Sequence, residues 1–107
     1  MAATPEAKTK KKVVKILQEF GVYFFYPVTG GFGRSGVPDI VACFRGRFVG
    51  IEVKANAKKN PPTDLQMKNL REIGEQGGIA LVVDDGNYES LRTLLVSMTT
   101  LNDQLNI

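Results

Sequence analysis

Two apolar segments separated by Arg45-Gly46 constrain the fold more than any other feature of this sequence. Residues 37–44 and 47–54 are both rich in β-branched and aromatic side chains, a composition typical of β-strands. If Arg45-Gly46 is a two-residue loop, the two strands form a hairpin in which Asp39 lies directly opposite Glu52. A longer loop or a bulge would change this pairing.

The hairpin would place two carboxylates, those of Asp39 and Glu52, on one face. Directly opposed side chains have Cβ atoms about 4.5–5.5 Å apart, a distance at which like charges destabilise a strand pair. Lys54 lies on the same face as Glu52 whatever the loop length, because side chains alternate along a strand. The other face, apolar at residues 49, 51 and 53, is expected to be buried in the core.

A cation between the two carboxylates would relieve their repulsion, so we interpret the cluster as a divalent-metal site with a lysine at its edge. Bound Mg²⁺ or Mn²⁺ would lower the pKa of a water and offset charge on a phosphoryl oxygen. Lys54 would hold or deprotonate that water, or stabilise the oxyanion of the transition state.

The sequence contains no histidine, no tryptophan and one cysteine. The missing histidine excludes Ser-His-Asp and Cys-His triads, histidine-dependent nucleases, and zinc sites built on histidine. Any metal would need oxygen ligands, which favours Mg²⁺ or Mn²⁺. A single cysteine forms no internal disulfide, which is typical of a cytosolic protein.

The rest of the chain predicts an α/β fold of order α-β-β-β-α-β-α, with a mixed sheet flanked by helices. The predicted elements are a helix from Thr4 to about Phe20, strands over 22–26, 37–44 and 47–54, a helix over 63–76, a strand over 79–83 and a helix from Asn87 to about Met98. The 107 residues have room for one domain, with a core over about 5–97 and a C-terminal tail over 98–107. No apolar run approaches the roughly 20 residues of a membrane span.

Positive charge is concentrated in the first part of the chain. Residues 1–71 carry 13 Lys and Arg against 5 Asp and Glu, whereas residues 72–107 carry 1 Arg against 6 acidic residues. A basic part of this kind favours a polyanionic partner. A structural or interaction protein with a solvated face and a lysine-rich tail would have the same composition.

The motif Val37-Pro38-Asp39, followed by Glu52-Val53-Lys54, resembles the signature of the PD-(D/E)XK nucleases. The wider pattern resembles the VRR-NUC branch in particular, over about residues 6–95; it includes Ser35-Gly36, Gly46-Arg47-Phe48, Thr63-Asp64-Leu65-Gln66 and Gly77-Gly78. The resemblance implies a restriction-endonuclease-like core and a Mg²⁺- or Mn²⁺-dependent endonuclease that hydrolyses DNA phosphodiester bonds. The alternative is a non-catalytic nucleic-acid-binding module on the same fold.

Family members of this small size are typically stand-alone phage or prophage proteins similar to Holliday-junction resolvases. The resemblance therefore implies a homodimer that acts on branched DNA such as four-way junctions. It also implies the cytoplasm of a bacterium or of a phage-infected host cell, with no organic cofactor and no membrane.

The resemblance assigns the metal-binding and catalytic residues one by one. It implies Asp39 and Glu52 as metal ligands, the backbone carbonyl of Val53 as a further ligand, and Lys54 as the catalytic lysine. Asp39 could instead open a strand at a polar edge, and Glu52 and Lys54 could be the solvated face of an edge strand.

Two more residues match the family less specifically, and each has a second explanation. Gln66 matches a glutamine that lines the site, but Thr63-x-x-Gln66 is also a capping box. Glu6 matches an acidic residue of the first helix and lies on the same face as Val13, but it could be a first-turn acid that interacts with the helix dipole.

Six residues of the basic part are expected to contact DNA phosphates, which bind Lys, Arg and backbone N–H groups without reading sequence. They are Arg34 and Ser35 in the glycine-rich loop over 30–36, Lys58 and Lys59 in the connector over 55–62, and Lys11 and Lys12 in the first helix. No base-reading element is recognisable. The last helix, Phe24 or Phe32 would form the dimer interface or, alternatively, fill the core.

Overall fold

A computed structural model describes residues 3–28 and 31–105 of the chain, with side chains as far as Thr100. The described residues form helices α1 (Pro5–Glu19), α2 (Asp64–Glu75) and α3 (Ser90–Leu105), and strands β1 (Tyr23–Phe25), β2 (Ile40–Phe44), β3 (Arg47–Val53) and β4 (Ile79–Val83). The predicted α/β class and the predicted order of elements are confirmed.

The four strands form one mixed sheet in the order β1-β2-β3-β4. Strand β2 pairs antiparallel with both β1 and β3, whereas β3 and β4 pair parallel. A parallel pair needs a crossover connection, and α2 lies within that crossover. Strand β3 is therefore central, with a hydrogen-bonded neighbour on each side.

The hairpin between β2 and β3 has the predicted two-residue loop. Arg45 (φ 52°) and Gly46 (φ 81°) both have positive φ, the conformation of a type I′ turn. Phe44 consequently pairs with Arg47, and the predicted register holds as far as Ile40 opposite Ile51.

Strand β2 begins at Ile40, three residues later than predicted. Pro38 is buried and has no N–H to donate, so it is not part of the hydrogen-bonded ladder. Asp39 therefore lies just outside the ladder, and its side chain rather than its backbone meets β3, as described below.

Helix α1 begins and ends where the sequence predicts. The Thr4 side chain accepts the N–H of Ala7 at 3.1 Å, Pro5 is the first helical residue, and the chain turns away at Gly21 (φ 65°). Its buried residues are Thr9, Val13, Ile16 and Leu17, which follow one face of the helix.

The hydrophobic core lies on one face of β3, as the sequence predicts. Besides Val49, Ile51 and Val53 of that strand, the core contains Val13, Ile16 and Leu17 of α1, Ile40, Ala42 and Phe44 of β2, Val83 of β4, and Leu91, Leu95 and Met98 of α3. On the opposite face, a Cβ added at Gly50 would lie 2.7 Å from Ile73 of α2 and 3.0 Å from Pro38. Both faces of β3 are therefore covered at its centre.

Helix α3 differs from the prediction at both ends. It begins at Ser90 rather than Asn87, because Asn87 accepts the N–H of Asp84 and Asp84 accepts the N–H of Gly86, which closes a turn before the helix. It continues to Leu105, and Met98 is buried, so the expected boundary between core and tail at residue 98 is wrong. Residues 106–107 lie outside the described residues, and no described helix has the length and apolarity needed to cross a membrane.

Candidate metal centre

Glu52 is a buried carboxyl group on the central strand. Its side chain is 1% exposed, and its Oε2 atom has no hydrogen-bond partner in the described part of the chain. An unpartnered buried carboxylate oxygen is costly, because the desolvation of the charge is not offset by a bond. This atom therefore needs either a proton or a cation.

Asp39 is held beside Glu52 by a bond to the backbone of β3. Its Oδ2 accepts the N–H of Val53 at 2.8 Å, in place of the ladder bond that ends at Ile40. After burial, interaction with the carboxyl group of Asp39 is the largest cause that raises the pKa of Glu52. The two acidic residues that the sequence places together therefore lie close to each other.

The surroundings of Glu52 favour its protonated form. Burial, then the hydrogen bond to Asp39, then the negative charges of Asp39 and Glu6 raise the pKa of Glu52 to about 8, against the opposing effect of Lys54. One proton is thus retained by the pair of carboxyl groups at neutral pH when no cation replaces it.

Lys54 follows β3 directly and is half-buried. Its N–H donates to the carbonyl of Val83 at 2.9 Å, which extends the contact between β3 and β4 by one residue. Its ammonium forms no ion pair with another described residue, and its positive charge lowers the pKa of Glu52. The sequence prediction that Lys54 lies near the carboxylates is therefore consistent with this electrostatic effect.

Lys10 is a neighbour of the carboxylates that sequence reasoning missed. Its Nζ lies 3.9 Å from Oδ1 of Asp39 and 5.9 Å from the centre of the Tyr26 ring. The available signal was its position four residues after Glu6, which puts both residues on the same side of α1.

Gln66 forms a capping box with Thr63, as the second explanation of its sequence pattern predicts. Its Oε1 accepts the N–H of Thr63 at 2.9 Å, and its own N–H donates to the Thr63 hydroxyl at 3.2 Å. The Gln66 side chain, which the family resemblance assigns to the metal site, is therefore hydrogen-bonded at the start of α2.

Glu6 is exposed in the first turn of α1, so it does not pack in the core with Val13. The inward position of that turn belongs to Thr9, which is buried and donates its hydroxyl hydrogen bond to the carbonyl of Pro5. Glu6 is still close enough for its charge to raise the pKa of Glu52.

The donor atoms around Glu52 fit a Mg²⁺ or Mn²⁺ ion. Among residues 3–28 and 31–100, no three Asp, Glu or Cys side chains form a group able to hold a metal, so the protein offers two carboxylates. The carbonyl of Val53 points to the same side of β3 as its N–H, which donates to Asp39. Oxygen donors of this kind, completed by water, are what these two ions accept.

Two of the predicted DNA-contacting residues are paired with carboxylates. Arg34 forms an ion pair with Glu72. Lys12 is 2.6 Å from Asp85 and lies 5.2 Å from the centre of the Tyr88 ring, and the bond to Asp85 raises the pKa of Lys12. Exposed pairs of this kind are weak, so a phosphate can compete for either cation.

The other four predicted contacts are exposed. The N–H groups of Lys58 and Lys59 donate to the side chain of Asn56 at 3.0 and 3.2 Å, which orders the loop and leaves both side chains in solvent. Ser35 is exposed before β2, and Lys11 is exposed on α1.

The two aromatic residues considered for a dimer interface differ in environment. Phe24 packs against the core, whereas Phe32 is fully exposed. Gly30, in the same glycine-rich loop as Phe32, lies outside the described residues. On α3, the helix that was the other candidate, Val96 is a half-exposed apolar residue.

Comparison of the chain with protein-family models, with curated proteins and with solved structures found no match. The family resemblance of the sequence accordingly stays a prediction. The function has to be inferred from the chemistry of Asp39, Glu52 and Lys54 and from the surfaces around them.

Proposed function

We propose that this chain is a Mg²⁺- or Mn²⁺-dependent endonuclease that hydrolyses DNA phosphodiester bonds, with a restriction-endonuclease-like fold of the VRR-NUC type. The observation that carries the proposal is the contact between Asp39 and the buried Glu52, whose Oε2 has no hydrogen-bond partner among the described residues. Such an arrangement costs stability in the absence of a cation, and a metal-binding role accounts for it.

Asp39, Glu52 and the carbonyl of Val53 would hold the metal ion. A divalent metal supplies Lewis acidity toward a phosphoryl oxygen and makes a nearby water more acidic. Lys54 is the residue whose positive charge is free among the described residues and close to Glu52. It orients the attacking water or stabilises the charge that develops on the phosphate in the transition state.

Exposed lysines near the centre supply the contacts to DNA phosphates. Lys11, Lys58 and Lys59 form no ion pair with a described residue, so their charges are available to a polyanion. Arg34 and Lys12 contribute only if a phosphate replaces the carboxylate partner of each.

The part of the sheet that α2 leaves exposed offers a surface for a second copy of the chain. The strand register puts Tyr23, Phe25, Val41, Cys43 and Phe48 on the face where α2 covers Gly50. Exposed fractions of 70%, 48% and 47% for the three aromatic residues leave about 300–400 Å² of ring surface in solvent. This is close to half of the roughly 800 Å² that one partner contributes to a stable interface.

A homodimer with twofold symmetry would present two metal centres to one DNA molecule. Such an arrangement suits branched DNA such as a four-way junction, in which two strands of the same polarity are cut symmetrically. The dimer and the branched substrate both rest on the family resemblance of the sequence.

A cleavage assay tests the proposal. The wild-type chain and the variants Asp39→Asn, Glu52→Gln and Lys54→Ala are incubated with a labelled four-way junction, a flap and a linear duplex, with Mg²⁺, Mn²⁺ or EDTA. We expect metal-dependent cleavage by the wild-type chain and a loss of about 10²-fold or more in each variant. Glu75→Gln, an exposed change on α2, is the matched control and should cut at the wild-type rate.

Wild-type rates in all three variants would contradict the proposal. Tight binding to the junction without cleavage in Mn²⁺ would favour the non-catalytic nucleic-acid-binding alternative.

A further inference from the structure

A groove lies along α1, beside the carboxylate pair but outside it. Its volume is about 750 Å³. Three lysines, Lys10, Lys11 and Lys15, line it together with the ring of Tyr26, against one carboxylate, that of Glu6. The groove is therefore basic along its length and has one aromatic wall.

Two residues link the groove to the proposed metal centre. The Nζ atom of Lys10, which lines the groove, lies 3.9 Å from Oδ1 of Asp39. Glu6, which also lines the groove, is near enough to Glu52 for its charge to raise the pKa of that residue. A polyanion bound at Lys10 therefore lies beside the two carboxylates.

Tyr26 has the properties of a platform for a nucleic-acid base. Its ring is 50% exposed, and an edge contact with Phe24 at 6.1 Å supports it from the protein side. Lys10 reaches the ring from α1, so a phosphate bound by Lys10 lies next to the ring. Stacking on an aromatic ring requires a base that is not paired within a duplex.

The lysines are spaced for a single strand. Lys11 and Lys15 are one helical turn apart on α1, about 6 Å along the axis, which approximates the spacing of neighbouring phosphates in an extended strand. Both side chains are exposed. A row of cations beside one aromatic ring is the usual arrangement of a single-strand binding groove.

We infer that this groove binds an unpaired DNA strand next to the bond that is cut, with Lys11 and Lys15 at successive phosphates and Tyr26 under a base. The inference rests on the proposed function for its link to cleavage, and it names the substrate class of that site as DNA with an unpaired strand beside the cut. Uninterrupted duplex lacks the free base that the Tyr26 ring needs.

Fluorescence anisotropy with EDTA present measures the binding without cleavage. The probe is a labelled oligothymidylate of about twelve nucleotides, and an unlabelled duplex of the same length is the competitor. We expect Tyr26→Ala to weaken binding about tenfold and Tyr26→Phe to leave it unchanged, because stacking needs the ring and not the hydroxyl. Met67→Ala, which removes an exposed apolar side chain of α2, is the control.

The salt dependence tests the two phosphate contacts. Replacing both Lys11 and Lys15 with Gln should reduce the slope of log K against log salt concentration by about 1.4, or about 0.7 for each lost contact with a single strand. The matched control is Lys68→Gln, an exposed lysine of α2, which should leave the slope unchanged.

Three results would overturn the inference: wild-type affinity in Tyr26→Ala, an equal loss in Met67→Ala, or a duplex that competes as well as a single strand. A different result would contradict the proposed nuclease activity. Selective single-strand binding with no cleavage in Mg²⁺ or Mn²⁺ would leave the groove inference standing and contradict the nuclease.

Discussion

Glu52 shows how one residue can be placed for function against stability. It lies on the central strand, where an apolar side chain would be the stable choice, and its Oε2 is buried without a hydrogen-bond partner among the described residues. Burial and then the neighbouring Asp39 raise the pKa of Glu52 to about 8, so the folded protein keeps a proton on this pair at neutral pH. A bound cation would remove the need for that proton.

The stability of the metal-free protein should fall as the pH rises. The pKa of Glu52 is about 8 in the folded chain against an ordinary value of 4.5, so the folded state binds the proton more tightly. Its contribution to stability is complete below about pH 4.5 and is lost as the pH rises through 8. Thermal unfolding between pH 5 and 9 in EDTA measures this loss, on the order of 3 kcal/mol.

Glu52→Gln should remove this pH dependence, because the amide donates to Asp39 and carries no charge at any pH. At pH 9 in EDTA the variant should be more stable than the wild-type chain. Added Mn²⁺ should reverse the order by stabilising only the wild-type chain. A variant that unfolds at lower temperature than the wild-type chain at pH 9 in EDTA would contradict this assignment of Glu52.

At the scale of the elements, the sequence predicted best what depends on local spacing. The register of the hairpin followed from the two-residue loop, which both positive φ angles at Arg45-Gly46 confirm. The contact between Asp39 and Glu52 followed from that register. The start of β2 was predicted too early, because strand composition was followed through Pro38, which has no N–H to donate to the ladder.

Other parts of the site could not be predicted from the sequence, because they depend on contacts that local sequence patterns do not show. Lys10 reaches Asp39 only because α1 crosses near the start of β2, a tertiary arrangement. Gln66 had two explanations with the same sequence pattern, and the side-chain rotamer decides between them. Met98 belongs to α3 and to the core, and the helix continues to Leu105.

The capping box of α2 makes a prediction at this scale. Thr63→Ala should lower the free energy of unfolding by about 1 kcal/mol, since the N–H of Gln66 loses its acceptor. Gln66→Ala should also destabilise the protein slightly and leave DNA cleavage unchanged. Urea unfolding and junction-cleavage rates measure the two effects. A loss of cleavage in Gln66→Ala without a loss of stability would instead indicate that Gln66 acts at the metal site.

At the scale of the whole molecule, charge and apolar surface lie on different faces. The basic groove follows α1, and the apolar face formed by Tyr23, Phe25, Val41, Cys43 and Phe48 lies on the other side of the sheet. A second copy can therefore cover the apolar face without covering the groove. This separation is what a symmetric enzyme on a branched polyanion requires.

If the chain forms the proposed homodimer, Phe25→Lys should convert it to a monomer, because the new charge would be buried in the interface. Phe32→Lys is the control, since Phe32 is fully exposed in a loop outside the sheet. Sedimentation equilibrium of the two variants and the wild-type chain measures the association. A wild-type chain that is monomeric at high concentration, or a Phe25→Lys variant that still dimerises, would contradict the assignment of this face.

The most direct measurement of the central claim is the anomalous difference density of crystals grown with Mn²⁺. We predict a peak for a Mn²⁺ ion bound between the carboxylates of Asp39 and Glu52 in the wild-type protein, and no peak at that position in Glu52→Gln. The absence of a peak between the two carboxylates at saturating Mn²⁺, or an ordered Mn²⁺ ion bound only elsewhere, would contradict the claim that these residues form the metal centre of a nuclease.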